Sequence, residues 1–251
     1  MFAGLLAIAL LPACQNAMSV NEPSDCAHTH WEYEGPSDPA HWATCYSDCG
    51  GTAQSPIDIK TATVDNDLAD LQMSYKGSPI DLVNNGHTVN FQYHNHGTIK
   101  YEGEAYSLDQ FHFHSLSEHT VNGKHYPMEV HLVHRNASGD KLLVVGVFVK
   151  EGQENAFLES FSHHLPADSP GHNTFDEAKR INVKDLYPTN PAYYSYKGSL
   201  TTPPCSQIVN WIVMENPVEA SADQLHSFEG VLHHNYRPTQ DLNGREIHEH
   251  I

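Results

Sequence analysis

Hydrophobic and polar positions alternate in short blocks along most of the chain. Gln110–His114 (QFHFH) and Glu129–Val133 (EVHLV) alternate strictly, which is the signature of a strand with two unlike faces. Thr88–Tyr93 (TVNFQY) follows the turn signal Asn84-Asn85-Gly86 and predicts another strand. Leu142–Val149 (LLVVGVFV) is a continuous apolar run suited to a strand buried on both faces, and Gln207–Met214 (QIVNWIVM) is a second. Helical spacing is scarcer. Asn155–Leu165 places Ala156, Phe157, Phe161 and Leu165 for one helix, and Ser221-Ala-Asp-Gln224 is a capping-box pattern opening another through about His233. Central strands with peripheral helices predict a mainly β (α+β) single domain around a large, twisted, mostly antiparallel sheet.

The ends read differently. Met1 to Cys14 is an apolar run closed by small residues, resembling a signal-peptide core and processing site. Leu11-Pro12-Ala13-Cys14 resembles a lipobox, so Cys14 is a candidate lipid anchor. Residues 15–27 are polar and read as a linker, and no low-complexity tract divides 28–251. This organisation predicts a periplasmic or extracellular protein, anchored to the outer membrane if Cys14 is lipidated. The remaining cysteines, Cys26, Cys45, Cys49 and Cys205, are even in number, which in an exported chain favours disulfides.

Composition narrows the partners. The 31 acidic residues against 13 basic ones exclude a nucleic-acid backbone, whose phosphates would be repelled. Twenty histidines exceed what any one site needs, yet neutral imidazole is the commonest metal ligand. His112 and His114 project from one strand face while Phe111 and Phe113 enter the other. His131, flanked by apolar residues on a strand suited to pair with the first, supplies a third imidazole. Three histidines leave the fourth position of a zinc ion open for catalysis. Gln110 and Glu129 each precede a ligand by two residues, on the same face, where they can accept the second ring N–H. The His-rich end, His248-Glu-His250, reads as a solvated tail.

FHFHSLSEHTVNGKHYPMEVHLVH, residues 111–134, resembles the core signature of the alpha carbonic anhydrases. Gln54-Ser-Pro-Ile-Asp-Ile59, Asn84-Asn-Gly-His87, Gly198-Ser-Leu-Thr-Thr-Pro-Pro-Cys205 with Trp211, Arg237-Pro-Thr-Gln240 and Asn243-Gly-Arg245 resemble its other motifs, in family order. Ser115 departs from the tryptophan usual in animal members. The resemblance implies a zinc enzyme for the reversible hydration of carbon dioxide to bicarbonate, by zinc-hydroxide attack. It implies zinc on His112, His114 and His131, and a proton shuttle at His87. Thr201 would accept a hydrogen bond from the nucleophile and donate to Glu118. Val133, Val144, Leu200, Val209 and Trp211 would form the apolar wall for carbon dioxide, bordered by Thr202. Tyr33, Asn85 and Asn90 would line a polar wall. The resemblance also implies a Cys49–Cys205 disulfide, with Cys45 the competing partner, and cis bonds at Ser55-Pro56 and Pro203-Pro204.

Two binding-protein readings compete with the enzyme: a non-catalytic relative that has lost a ligand, and a scavenger using many weak zinc sites. All three zinc histidines, Glu118, Thr201 and His87 are present, which favours the enzyme. The oligomeric state is left open, a dimer included.

Overall fold

The computed structural model describes Cys26 and residues 30–95, 97–167, 169–174 and 179–251. The expected leader with Cys14, and the linker apart from Cys26, lie outside the described residues.

Among the described residues, thirteen strands form one sheet. Its main path runs Gly171–Thr174, Asp81–Asn84, Val89–Gln92, Glu104–His114, Met128–Asn136, Leu142–Glu151, Val209–Met214, Tyr193–Gly198, His248–His250 and Thr63–Val64. Pairing is mixed, where mostly antiparallel pairing was expected. Leu142–Glu151 runs parallel to both Val209–Met214 and Val218–Ala220, and His248–His250 runs parallel to Thr63–Val64. Parallel neighbours need a long crossover, which the chain between residues 151 and 209 provides for the central pair. Both strands of that pair are continuous apolar runs, a pattern that suits parallel neighbours buried on both faces.

The two sheet faces bury separate clusters, and the period of two sorts residues between them. On Leu142–Glu151, Leu143, Val145, Val147 and Val149 enter the larger cluster, while Leu142, Val144 and Phe148 enter the smaller. Phe111 and Phe113 join the larger cluster with Phe91, Phe161 and Phe228. Tyr106 and Leu108 share that cluster although they have the opposite parity. A bulge resets the register: Val133 faces Gln110, but His134 faces Leu108, leaving Asp109 extra. Beyond it, Gln110, His112 and His114 share the other face.

The helix expected over Asn155–Leu165 is broken. Asn155 caps Ala156–Glu159, and a separate 3-10 turn spans Ser162–His164. Phe161 leaves the helical region at φ −147° and is fully buried, so packing prevails over helical continuity. The second helix, Ala222–Leu232, opens with the complete Ser221–Gln224 capping box and ends at His233 in the left-handed region. The C-terminus is no solvated tail. His248–His250 is a sheet strand, and the His250 ring stacks on Tyr193 with centroids 4.8 Å apart.

A satellite cluster of Trp42, Cys49 and Cys205 has Trp31, Tyr33 and Tyr46 packed against it. Two disulfides serve this region, Cys26–Cys45 and Cys49–Cys205. The bonds Ser55-Pro56 and Pro203-Pro204 are cis, as are Ser169-Pro170 and Ser115-Leu116.

Candidate metal centre and active site

His112 and His131 face each other across the antiparallel pair Glu104–His114 and Met128–Asn136. His114 lies one pleat further on the same face. Ligand atoms of the three rings lie within 4.8 Å of one another. The outer ring nitrogen of each is held. His112 Nδ1 lies 2.9 Å from Gln110 Oε1, His114 Nδ1 2.7 Å from the Asn235 carbonyl, and His131 Nε2 2.9 Å from Glu129 Oε1. These contacts leave His112 Nε2, His114 Nε2 and His131 Nδ1 as the inner donors. His114 Nε2 is buried without a hydrogen-bond partner, a position that otherwise costs free energy. Burial, and then the neighbouring His114 and His131, hold His112 well below the usual histidine range. Burial also lowers His114, against the pull of Glu118. At His131 burial is outweighed by the Glu129 charge and hydrogen bond, which raise that ring, so a metal would compete there with a proton. In number and placement the three inner nitrogens still fit a zinc ion with one open position. His114 and His131 are buried while His112 is half-buried, so the cleft opens on the His112 side.

Sequence reasoning missed the group behind His131. Glu129 Oε1 also receives the His119 ring Nδ1 at 2.8 Å, and Oε2 receives the His119 backbone N–H at 2.9 Å. His119 Nε2 lies 2.6 Å from the Tyr196 hydroxyl, which donates to Ser55 Oγ at 2.9 Å. His119, Glu129 and His131 also lie close enough to hold a metal. All three are fully buried, however, and their contacts to one another already occupy the atoms such an ion would need. Gly146, opposite His131 in the register, makes room for this carboxylate: a Cβ there would lie 2.7 Å from Glu129 Oε1. The only local signal for His119 was its place after Glu118. Asn235 lies 121 residues from the ring it holds.

Glu118 is fully buried, and its Oε1 accepts the Arg237 backbone N–H at 2.8 Å. Its Oε2 has no hydrogen-bond partner and lies 3.5 Å from His114 Nε2 and 3.7 Å from His131 Nδ1. The bond expected from Thr201 to this carboxylate is therefore not formed in the structure. The Arg237 guanidinium donates to Gln54 Oε1, the Ser55 carbonyl and the Cys49 carbonyl, and lies 5.4 Å from the Trp42 ring centroid. Thr201 is buried in the loop after Gly198, where the Cys205 N–H donates to the Thr202 carbonyl at 2.9 Å.

Val133, Val144, Val209 and Trp211 share the smaller apolar cluster, with Leu200 packed on it. The Trp211 ring centroid lies 4.8 Å from that of His131, so this wall adjoins the triad. Asn90 is opposite His112 in the register. Burial, and then the Glu118 charge, push the Tyr33 phenol well above its ordinary value. Asn85 Oδ1 caps its turn, accepting the amides of His87 and Thr88. His87 is half-buried and stacked on Trp31, with ring centroids 3.7 Å apart.

Comparison with known proteins agrees with this architecture. The family model described as eukaryotic-type carbonic anhydrase matches residues 37–251. A carbonic anhydrase from Klebsiella pneumoniae is 40% identical over 254 residues, covering 98% of this chain and 97% of its own. One from Pectobacterium atrosepticum is 39% identical over 250 residues, covering 97% and 98%. The structure of alpha-carbonic anhydrase from Thermovibrio ammonificans, in complex with the inhibitor sulfanilamide, matches with a TM-score of 0.83 and 43% identity, covering 88% of this chain and 99% of that one. By fold, by sequence over nearly its whole length and by the matching family model, the chain belongs to the alpha-class, eukaryotic-type carbonic anhydrases, the enzymes of reversible carbon dioxide hydration.

Proposed function

We propose that this chain hydrates carbon dioxide reversibly at a zinc ion held by His112, His114 and His131. The observation that carries the reading is the convergence of three imidazoles whose outer nitrogens are all engaged and whose inner nitrogens are not. When bound, zinc acidifies a coordinated water and so supplies a nucleophile at neutral pH, a general property of carbonic anhydrase zinc. Gln110, the Asn235 carbonyl and Glu129 fix the ring orientations and tautomers. Thr201 orients the nucleophile, with Glu118 as the acceptor for its hydroxyl. Glu118 suits this role because it is fully buried beside the triad, with its Oε1 held by the Arg237 backbone N–H. Val133, Val144, Leu200, Val209 and Trp211 give an apolar molecule a place without competing hydrogen bonds, and Thr202 borders it. His87 carries the released proton to solvent. The Cys49–Cys205 bond braces the loop bearing Thr201 and Thr202.

The same proposal places the protein outside the cytoplasm. Two disulfides suit an oxidising compartment. Residues 1–14 act as the export signal, with Cys14 as the site of any lipid anchor.

Stopped-flow hydration assays with and without a chelator test the activity. One zinc per chain and hydration that disappears with the metal are expected. Hydration that persists after quantitative zinc removal overturns the proposal.

A further inference from the structure

We propose that the C-terminal strand carries a second, weaker metal site, in which His248, His250 and Asp65 hold a divalent transition ion of the zinc type. Its layout repeats that of the triad on the other face of the sheet. His248 and His250 are two residues apart in a strand, so their side chains share a face. The third donor comes from the next strand. His248 pairs in parallel with Thr63 and Glu249 with Val64, and the Asp65 N–H carries the register on by donating to the Glu249 carbonyl. His248 Nδ1 lies 3.1 Å from Asp65 Oδ2. On its other side the strand pairs with Tyr193–Gly198, which sets His250 against Tyr193 and His248 against Ser195. Tyr193 belongs to the larger apolar cluster, whereas Trp211, beside the triad, belongs to the smaller, so the sheet separates the two sites.

His250 has the features of a ligand rather than of a solvated end. Its ring lies flat on Tyr193, with planes 6° from parallel, and its side chain is 13% exposed. Its Nδ1 is buried without a hydrogen-bond partner, and its Nε2 is 3.6 Å from Asp70 Oδ1, beyond hydrogen-bond reach. A buried imidazole with unmet nitrogens is a polar group that needs a partner. A cavity of about 350 Å³ gives an ion access, with Asp65, Glu102, Glu246 and His248 in its lining. Lys197 and Arg245 also line it, and Arg245 directs its donors to the carbonyls of Leu242, Lys197, Gln54 and Asp241.

Two imidazoles and a carboxylate favour zinc over calcium or magnesium. His248 and Asp65 are 39% and 28% exposed, so both side chains can turn toward the His250 ring that Tyr193 holds. That closure costs side-chain freedom, which makes this site weaker than the triad, whose rings are held in advance. An ion here ties the C-terminal strand to the chain after Thr63–Val64 and stabilises the fold by mass action.

The test titrates zinc into the enzyme that already holds one, in excess magnesium, which occupies carboxylates but not imidazoles. A second equivalent is expected, bound more weakly than the first and lost on gel filtration, with a rise in the unfolding midpoint. His250→Gln and Asp65→Asn should each weaken it by about tenfold or more and remove most of the rise, leaving the first zinc and kcat/KM unaltered. Asp81→Asn, which removes the carboxylate that joins His94 and His172 elsewhere on the surface, should change neither. In His112→Ala the weak equivalent should persist, so its fate is read apart from that of the triad. Absence of a second equivalent overturns the site. So does one that His250→Gln and Asp65→Asn leave at its parent affinity. If His250→Gln does not fold, Asp65→Asn decides alone.

Discussion

Gly146 and Glu129 occupy one space: a Cβ on Gly146 would come within 2.7 Å of the carboxylate oxygen that holds the His131 ring. Glycine inside a buried apolar strand ordinarily weakens it. Here the missing side chain is what lets the carboxylate lie between two imidazoles. Gly146→Ala should displace Glu129 and lower zinc affinity on the order of 10-fold or more, as loss of an outer partner to a metal ligand does. Competition with a chromogenic chelator measures it. Unchanged affinity would show that Glu129 can hold His131 from a shifted position.

The ligands and their supports should separate cleanly in a second comparison. His112→Ala leaves two imidazoles and no defined tetrahedral site, so stoichiometric zinc and hydration should both be lost. Glu129→Ala leaves the three donors in place and should reduce zinc affinity by about 10–100-fold. Zinc content after gel filtration, read beside the hydration rate, distinguishes the two. Near-normal zinc and turnover in His112→Ala would sink the assignment of the triad.

How much of this was legible depended on distance along the chain. The two alternating strands showed which residues share a face, so His112, His114 and His131 with Gln110 and Glu129 could be grouped without coordinates. The family resemblance added Glu118, Thr201, His87 and the apolar wall. The parity change at Asp109 is created by pairing with the Val133–His134 step, and neither strand alone encodes it. The parallel course of Leu142–Glu151 beside Val209–Met214 depends on a crossover. Asn235 and Tyr196 reach the site from 121 and 77 residues away from the histidines they touch, where only the folded chain can bring them. The end strand His248–His250 was concealed because its three residues are polar while its role is set by backbone pairing and the Tyr193 stack.

Acid should destabilise the fold partly through His134, on the core side of the sheet. Burial pushes this ring down from 6.5 to about 4, and its Nδ1 sits 3.0 and 3.1 Å from the Leu132 and Leu143 carbonyls. Its Nε2 lies 2.7 Å from the Tyr75 hydroxyl. The folded chain therefore resists a proton that the unfolded chain accepts below about pH 6.5. Between that value and about pH 4 the unfolded state binds more protons, so stability falls as pH falls. The interval corresponds to about 3 kcal/mol at its acid end. His134→Gln, which does not protonate, should lose less stability than the parent between neutral pH and pH about 4, whatever its stability at pH 7. Urea unfolding across that range checks it, and parallel curves for the two proteins would show that His134 contributes none of the acid sensitivity.

His87 is the residue for which hydration and proton release should come apart. It is half-buried at the turn leading into Val89–Gln92, with its backbone held by the Asn85 side chain and its ring against Trp31. Burial, and then the neighbouring His30, bring it below 6.5, with Glu32 opposing. A group titrating somewhat below neutrality still passes protons readily to solvent at physiological pH, because neither direction is strongly uphill. Hydration itself uses the triad, Thr201 and the apolar wall, none of which His87→Ala removes. The variant should therefore keep its zinc and its kcat/KM, while kcat in dilute buffer falls by about tenfold or more. Added imidazole should restore much of kcat by carrying the proton from the cleft to bulk solvent. The rescue separates a missing carrier from a disturbed fold, since a small soluble base cannot repair misplaced ligands. Wild-type kcat in dilute buffer would mean that another group carries the proton, and the rim histidine His30, whose ring centroid is 5.5 Å from that of His87, would be the first to replace.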